Sequence, residues 1–458
     1  MHPITLARFD ALAGYCRFGP AMVLLEEGAW YESADGHLLG LIVRDRQDGD
    51  YQGILLARDR VERFRWVHGT DFFDEPEQAL AELQAQEPGF IAHLEQERGQ
   101  GDEPSAAMDF FALRVPQARL HPNFTTLNDG EGYSPARELI SSMMRWHEDI
   151  DGNYVEQFKS TAFDARLLEL YVFALLVENG FSLDHAHEAP DYLANDGIAE
   201  IAIEVTTCNP TVDGNGNVVP PPQPVSLEEQ AAYLKEYIPI KFGSALISKL
   251  RKRHWELPHV AGKPLAFAIQ DFHSPGSMMY ARTGLGIYLY GYDYDWHHDA
   301  DGKLIIQPRK VVEHRWLNKV IPSGFFDLPE AEHISAVLFN NSATLNKFNR
   351  MGFVARMGSA NVRMIRSGTA LNPDPDAAEP FGYAMVLDED YDETWSEGLE
   401  VYHNPRARHP LDPGHFPSAV HHVLQADGMT VTHWDGAFHP LKSVTQILLR
   451  RSEPGAAE

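Results

Sequence analysis

The sequence has very little cysteine and no long apolar run, and these absences limit the kind of protein it encodes. Cys16 and Cys208 are the only cysteines among 458 residues, and they form neither a metal-binding nor a redox spacing. No run of roughly 18 consecutive apolar residues occurs, so no membrane span is expected. The N-terminus lacks the basic and apolar regions of a secretory signal. We therefore predict a cytoplasmic protein without disulfides.

Positive charge is also scarce, and it is unevenly distributed. The formal net charge is -28, and the first lysine in the chain is Lys159. Such a charge disfavours unassisted adhesion to nucleic acid or to acidic membranes. Between Lys235 and Arg253, however, six basic residues stand against one acidic residue. Any contact with a polyanion is therefore expected from residues 235–253.

Turn signals and periodicity divide the chain into two predicted domains. Residues 29–69 alternate apolar and polar positions around Asp-Gly turns, which predicts a β-meander. The following helical region is expected to be interrupted at Pro88-Gly89, and residues 99–108 read as a polar linker. We predict an N-terminal α+β domain over residues 1–105. Residues 106–458 are predicted to form an α/β domain with a C-terminal extension of its sheet.

The central part of the chain alternates predicted helices and strands. "FDARLLELYVFALLVENG" predicts a helix that ends at Gly180, and "EIAIEVTT" and "KPLAFAIQDF" predict strands. Between these two strands, "LEEQAAYLKEYIPIKFGSALISKLRKRHWEL" predicts a helical segment that is kinked or broken at Pro239. "GLGIYLYGYDYDW" is interpreted as a tyrosine-rich strand. Further strands are expected in "AEHISAVLFNN", "EPFGYAMVLD" and "GLEVYHNP".

Two carboxylates flank a predicted hairpin in the central part. Glu204 shares one face of its strand with Ala202 and Thr206, because side chains alternate with a period of two. Asp191 follows Pro190, and a hairpin could bring it to the same edge as Glu204. Two carboxylates without a nearby thiol suit a hard cation such as Mg²⁺. The alternative is that Asp191 caps a turn and Glu204 faces water.

Glu169 is a third candidate for the same site. It is the only charged residue between positions 167 and 177. A carboxylate in a nearly apolar helix is seldom left unpaired. Glu169 therefore either reaches solvent at one edge of the helix or points into a site.

The stretches "FDARLLELYVFALLVENGF", "PDYL" and "IEVTT", in this order, resemble the PD-(D/E)xK nuclease superfamily. The resemblance covers roughly residues 160–272. It implies an α/β core of restriction-endonuclease-like type, with a mixed sheet flanked by helices. It further implies that Asp191, Glu204 and Glu169 bind Mg²⁺ or Mn²⁺. The activity implied is hydrolysis of a phosphodiester in DNA or RNA by metal-activated water.

The sequence departs from this family at one catalytic position. The family usually has a lysine two residues after the strand acid, and Thr206 stands there in this chain. A neutral hydroxyl cannot supply a cation to the attacking water or to the developing charge. Some members carry the lysine on the next helix, which makes Lys241 the first candidate for the catalytic lysine and Lys249 the second. Without such a lysine the fold could persist in an inactive form.

The basic segment and one histidine pair leave further alternatives open. Lys249, Arg251, Lys252 and Arg253 are candidates for contact with a nucleic acid backbone. The same segment could instead pair with acidic elements of this protein. A catalytically inactive interaction or nucleic-acid-binding protein is the alternative to a nuclease. A weaker hypothesis is an imidazole-bound metal at His185 and His187.

Overall fold

The fold is seen in a computed structural model that describes residues 1–17, 24–103, 107–147, 149 and 152–450. The predicted domain boundary between residues 105 and 106 lies outside the described residues. The chain forms an α/β fold with a mixed eight-stranded sheet flanked by helices and a separate N-terminal antiparallel sheet. The α/β class and the mixed sheet flanked by helices are thus as predicted.

The N-terminal sheet has five antiparallel strands in sequential order. Its strands and the two helices beside it are β1 (His2–Ile4), α1 (Leu6–Ala13), β2 (Leu25–Glu32), β3 (Leu38–Asp45), β4 (Tyr51–Arg58), β5 (Phe64–Phe73) and α2 (Pro76–Glu97). The predicted meander is confirmed by these strands. One face of the sheet packs against α2, where Leu38, Ile42 and Leu55 contact Ala79 and Leu83.

Helix α2 corrects one expectation from the sequence. Pro88 does not interrupt it, and the helix runs through this residue from Pro76 to Glu97. Proline removes one hydrogen bond inside a helix. Apolar residues on both sides of it, Leu83 before and Phe90 and Leu94 after, pack on the sheet. This shared packing surface holds the two halves in line.

The remaining helices lie on both sides of the large sheet. They are α3 (Pro122–Asp129), α4 (Ser134–Met143), α5 (Tyr154–Lys159), α6 (Phe163–Glu178), α7 (Leu227–Ala232), α8 (Ile238–Leu250), α9 (Arg282–Tyr290) and α10 (Leu345–Val354). A π-helical turn, Tyr233–Tyr237, joins α7 to α8. Pro239 lies in the first turn of α8, and the segment is not broken there, because the π-helical turn just before it continues directly into α8.

The large sheet has the strand order β19-β18-β17-β14-β9-β8-β7-β6. The strands from residue 182 onward are β6 (Ser182–Asp184), β7 (Tyr192–Asn195), β8 (Glu200–Cys208), β9 (Leu265–Asp271), β10 (Tyr292–His298), β11 (Leu304–Lys310), β12 (Glu313–Trp316), β13 (Lys319–Pro322), β14 (Ala336–Phe339), β15 (Val362–Ala370), β16 (Phe381–Val386), β17 (Glu400–His403), β18 (Val420–Leu424), β19 (Thr430–His433) and β20 (Pro440–Leu449). β6, β7 and β8 are antiparallel neighbours, whereas β8, β9 and β14 are parallel.

The two faces of the large sheet carry separate apolar cores. Ile201, Ile203 and Val205 of β8 belong to the core that also contains α4 and α6. Ala202 and Cys208 belong to the core that contains α8 and α9. The alternation predicted for β8 is therefore confirmed. Its even-numbered residues, including the candidate acid Glu204, lie on the face that packs against α8.

Two hairpins and a small sheet lie outside the large sheet. β10 pairs with β11 and β12 with β13, while β16, β15 and β20 form a three-stranded antiparallel sheet. The segment "GLGIYLYGYDYDW" is only partly a strand, because Gly284 to Tyr290 belong to α9 and the strand begins at Tyr292. Gly291 ends the helix in the left-handed conformation, with a φ of 71°.

Among the residues that the structure describes, none of the helices combines the length and the apolar character that a membrane crossing requires.

Candidate active site

Asp191 and Glu204 are brought together by the register of the β7–β8 hairpin. Tyr192 pairs with Ile203 in this antiparallel ladder. Asp191 precedes Tyr192 and Glu204 follows Ile203, so the two acids stand across from each other at the next step. Asp191 Oδ2 accepts the backbone N–H of Val205 at 2.6 Å, which fixes the aspartate beside β8. The predicted approach of these two carboxylates is present in the structure.

Glu204 is buried among basic side chains. Only 3% of the residue is exposed. Its Oε1 atom accepts hydrogen bonds from Lys249 Nζ at 2.5 Å and Lys252 Nζ at 3.0 Å. Nδ1 of His254 lies 3.1 Å from Oε2. Burial alone would raise the pKa of Glu204, but His254 and Lys249 hold it well below its usual range.

Glu169 reaches the same group of charges from α6. Its Oε2 atom accepts a 2.6 Å hydrogen bond from Arg166 one helical turn earlier. The hydroxyl of Tyr192 donates to the Glu169 backbone carbonyl at 2.8 Å, which ties α6 to the start of β7. Burial, followed by the charge of Asp191, raises the pKa of Glu169 to about 7. Glu169 therefore does not simply face solvent but lies near the charge of Asp191.

Asp191 is electrostatically the centre of this acidic group. Burial raises its pKa to about 6, and the neighbouring charge of Glu204 acts in the same direction. The ammonium of Lys249 opposes these effects, and it lowers the pKa values of Glu169 and Glu204 as well. The three predicted acids and Lys249 thus form one cluster, which we call the carboxylate cluster.

The lysine that bonds Glu204 is Lys249, the second of the two predicted candidates. Lys241 Nζ instead donates to the Asn209 carbonyl at 2.6 Å and to Thr211 Oγ1 at 3.1 Å, beyond the end of β8. The two lysines are eight positions apart on α8, which corresponds to about 12 Å along a helix. Thr206, on the same face of β8 as Glu204, carries a neutral hydroxyl and no positive charge.

Most of the basic segment pairs with acids of this protein. Lys235 bonds Asp293 at 2.6 Å, and Lys249 and Lys252 share Glu204. The exposed Arg253 side chain pairs with Glu256 at 2.6 Å and also with Glu330. The alternative of internal pairing therefore describes these four residues. Arg251 is exposed at the C-terminal end of α8.

His254 is a member of the cluster that sequence reasoning missed. Arg253 adopts the left-handed conformation with a φ of 54°, and this turn carries the chain from α8 to His254. Helical spacing could not have indicated His254, because α8 ends at Leu250 and the chain then turns at Arg253. Arg166, three residues before Glu169, was readable as a helical ion pair.

The carboxylate cluster offers donors that suit a hard divalent cation. In the described part of the chain, no group of three or more His, Cys, Asp or Glu side chains stands in a ready-made metal-binding arrangement. Mg²⁺, however, often takes only one or two carboxylates and completes its coordination with water and substrate phosphate. Asp191 and Glu169 are mutually repelling carboxylates with raised pKa values, so a cation between them would relieve the repulsion. These residues fit Mg²⁺ or Mn²⁺ on chemical grounds.

At the other predicted metal position, His187 packs against a second histidine ring. His187 stacks on His259 with ring centroids 3.7 Å apart. His259 Nε2 lies 2.7 Å from the Ala189 carbonyl oxygen. His185 and His187 belong to no metal-binding group among the described residues. The structure thus shows a packing contact for His187.

A large cavity lies away from the carboxylate cluster. It has a volume of about 970 Å³ and is bordered by α1, α10 and residues 386–395, with Tyr15, Glu178 and Trp395 in its wall. None of the three clustered acids belongs to the described residues that line it. The cavity and the concentrated charge at β7 and β8 are therefore at different places in the described structure.

Comparisons with protein-family models, with curated proteins and with solved structures found no match to this chain. Its function must therefore be judged from the geometry and charge of the site itself.

Proposed function

We propose that this chain is a metal-dependent nuclease that hydrolyses phosphodiester bonds in DNA or RNA. Its core would be of restriction-endonuclease-like type, formed by α6, β6, β7, β8, α8 and β9. In this core the helix and the hairpin supply Glu169, Asp191 and Glu204. The order of these elements agrees with the sequence resemblance, and it supports the proposal more strongly than the few matching letters do.

The observation that carries the proposal is the convergence of three acids on one lysine. Glu169 from α6, Asp191 before β7 and Glu204 from β8 are separated along the chain, yet Lys249 bonds Glu204 and its charge lowers the pKa of all three. Burying several like charges is expensive unless cations compensate them. Such clusters of perturbed carboxylates are typical of functional sites.

The acids of the cluster and its lysine have different proposed roles. Asp191, Glu204 and Glu169 would hold Mg²⁺ or Mn²⁺, an ion that activates water and neutralises charge on a phosphoryl group. Oε1 of Glu204 also accepts the Lys249 hydrogen bond and so positions that ammonium. Lys249 provides the cation that Thr206 cannot provide, and it stabilises negative charge developing on the phosphate.

Cleavage assays with matched variants test this proposal. Labelled single-stranded and duplex DNA and RNA would be incubated with Mg²⁺ or Mn²⁺ and each variant. Glu204→Gln and Lys249→Met should each lower the cleavage rate by about 10²–10³-fold, the usual effect of removing an electrostatic catalytic group. Glu200→Gln on the same strand, whose partner is Lys263, should cleave like the wild type. Full activity of Glu204→Gln would refute the assignment.

One observation favours a second candidate, a non-catalytic protein with a nuclease-like core. Both oxygens of Glu204 already face basic groups, with Lys249 and Lys252 on one side and His254 on the other. If these contacts are permanent, Glu204 does not bind metal and the core acts as an interaction scaffold. Removing one partner from this arrangement would still destabilise the fold, because a buried charge would lose its compensation.

Thermal unfolding with and without metal separates the two candidates. A ligand that binds only the folded state raises its stability in proportion to RT ln(1 + [L]/Kd). A nuclease should therefore melt at a higher temperature in millimolar Mn²⁺ than in EDTA, and Asp191→Asn should remove that difference. An unchanged melting temperature in the wild type would favour the scaffold.

A further inference from the structure

Two neighbouring lysines stand next to the proposed active site without an acidic partner. Lys319 Nζ donates to Ser244 Oγ at 2.7 Å, and Lys241 bonds the Asn209 carbonyl and Thr211. Burial lowers the pKa of Lys241, and the charge of Lys319 contributes to the same shift. Within the described chain, neither ammonium has a carboxylate within 4.0 Å. Two adjacent ammonium groups repel each other, and a bound anion would relieve this repulsion.

The contrast with the rest of α8 makes this pair distinctive. The other lysines of the basic segment, Lys235, Lys249 and Lys252, each bond an acid of this protein. In a chain with a net charge of -28, acidic partners are abundant. Lys241 is thus the lysine of the basic segment without an acidic partner in the described structure, and Lys319 places a second such ammonium near it.

Aromatic side chains lie directly beside the two lysines. Trp316 is the cross-strand partner of Lys319 in the β12–β13 hairpin. Its half-buried ring packs edge-on against Tyr237, with centroids 5.4 Å apart. Tyr237 lies one turn before Lys241 and stacks on Tyr233 with centroids 5.0 Å apart. Aromatic rings next to cations are the usual elements of surfaces that bind unpaired bases.

We propose that Thr211, Tyr237, Lys241, Ser244, Trp316 and Lys319 form a binding surface for single-stranded nucleic acid. This inference rests on the proposed nuclease function and specifies its substrate. Lys241 and Lys319 bind a backbone phosphate, and an unpaired base stacks on Trp316. We call these six residues the strand surface.

The position of the strand surface relative to Lys249 supports this assignment. Lys241 and Lys249 lie on the same helix, about 12 Å apart. A flexible chain with regularly spaced phosphates can contact both lysines at once. A base pair hides the faces of its bases within the duplex stack, so Trp316 would gain nothing from a duplex. The small area of positive charge is also better matched to one strand than to two.

Binding of labelled oligonucleotides in EDTA tests the strand surface without metal-dependent cleavage. Fluorescence anisotropy would compare a 5′-labelled single strand with a hairpin duplex of the same composition. Wild type should bind the single strand at least about tenfold more tightly, since only an unpaired base can stack on Trp316. Lys241→Gln and Lys319→Gln should each weaken this binding about tenfold. Each should also reduce the slope of log K against log salt by about 0.7, as expected for one lost contact with a single strand.

Two further variants separate a binding role from a folding role. Lys303→Gln, in the exposed turn after β10, is the matched lysine control and should bind like the wild type. Trp316→Leu keeps an apolar group in the half-buried position, and it should weaken single-strand binding while leaving the salt slope unchanged. Tighter binding of the duplex, or wild-type affinity in both Lys241→Gln and Lys319→Gln, would overturn the proposal.

Cleavage measured in parallel distinguishes this failure from failure of the nuclease proposal. If Asp191→Asn abolishes Mg²⁺-dependent cleavage while the strand-surface variants bind normally, the strand surface is refuted and the nuclease stands. If the strand-surface variants lose binding and no preparation cleaves, single-strand binding stands and the nuclease is refuted.

Discussion

Lys249 donates a 2.5 Å hydrogen bond to Glu204, and this contact joins α8 to β8 across the face of the large sheet. Both side chains are largely removed from water, with 19% and 4% of their side-chain surfaces exposed. The pair is therefore expected to be energetically coupled, in contrast to an ion pair on the surface. The following predictions concern this contact, other buried charges and the predicted helix break.

A double-mutant cycle should detect coupling between Lys249 and Glu204. Lys249→Met alone should lower the free energy of unfolding by about 1–3 kcal/mol, because it removes a bond to a buried charged group. Combined with Glu204→Gln, it should reveal a coupling energy of about 0.5–3 kcal/mol in urea denaturation. The more exposed pair Lys263 and Glu200 is the control, with an expected coupling of about 0–1 kcal/mol. Equal coupling in both pairs would contradict the buried ion pair.

Glu393 should be among the most sensitive positions for stability. It is buried and pairs with Lys347 at 3.1 Å and with Arg350 at 2.7 Å. Burial opposes its ionisation, but the charges of Arg350, Lys347 and Arg366 hold its pKa well below the usual range. Glu393→Gln should cost about 3–5 kcal/mol in the free energy of unfolding, since buried cations then lose their acid. The exposed Glu389→Gln is the control, and a loss below about 1 kcal/mol at Glu393 would refute this network.

The contribution of His403 to the stability of the fold should be lost as the pH falls below about 6.5. Its Nε2 atom lies 2.9 Å from His421 Nδ1, and burial together with the neighbouring histidines lowers its pKa from 6.5 to about 4. A lowered pKa in the folded state means that protonation favours unfolding. The stabilising contribution is therefore complete above pH 6.5 and is lost as the pH falls toward 4.

Denaturation at several pH values measures this contribution. Between pH 7 and pH 5, wild type should lose about 1–2 kcal/mol more than His403→Gln, after allowance for the partial exposure of the imidazole. His298→Gln, which changes an exposed histidine of β10, should follow the wild-type profile. Parallel profiles for wild type and His403→Gln would show that His403 does not contribute.

Helix α2 should tolerate a better helix former at Pro88. Proline inside a helix lowers stability by about 3 kcal/mol relative to alanine. Its rigidity restricts the unfolded chain, which offsets about 0.4–1 kcal/mol of this loss. Pro88→Ala should therefore raise the free energy of unfolding by about 2–3 kcal/mol, measured by urea denaturation. The exposed substitution Gln84→Ala in the same helix should change stability much less. Destabilisation by Pro88→Ala would indicate that the helix is broken at this residue.

Much of the core could be predicted because it follows simple periodicity. Ile201, Ile203 and Val205 alternate with Ala202 and Glu204, so the two faces of β8 were visible in the sequence. The apolar run of α6 made Glu169 conspicuous for the same reason. The approach of Asp191 and Glu204 could be predicted because the stretch between them suits a hairpin, whose turn lies at residues 196–199.

The choice of lysine and the role of His254 could not be predicted in this way. Lys241 and Lys249 both lie on α8, and only the position of this helix against β8 decides which one reaches Glu204. The position of His254 beside Glu204 depends on the left-handed conformation of Arg253. Arginine rarely adopts this conformation, and no residue pattern predicts it here. Gly284 to Tyr290 were assigned to a strand because tyrosine favours strands, but packing against α8 and the large sheet holds this segment as a helix.

Calorimetric titration with Mn²⁺ tests most directly whether the carboxylate cluster seats a divalent cation. Wild type and Asp184→Asn, a change in the exposed part of neighbouring strand β6, should each show one site of equal affinity. Asp191→Asn should weaken that site at least about tenfold, an effect within the range seen when the support of a metal site is removed. Identical Mn²⁺ binding by wild type and Asp191→Asn, or no binding by wild type, would contradict the proposed metal-dependent nuclease.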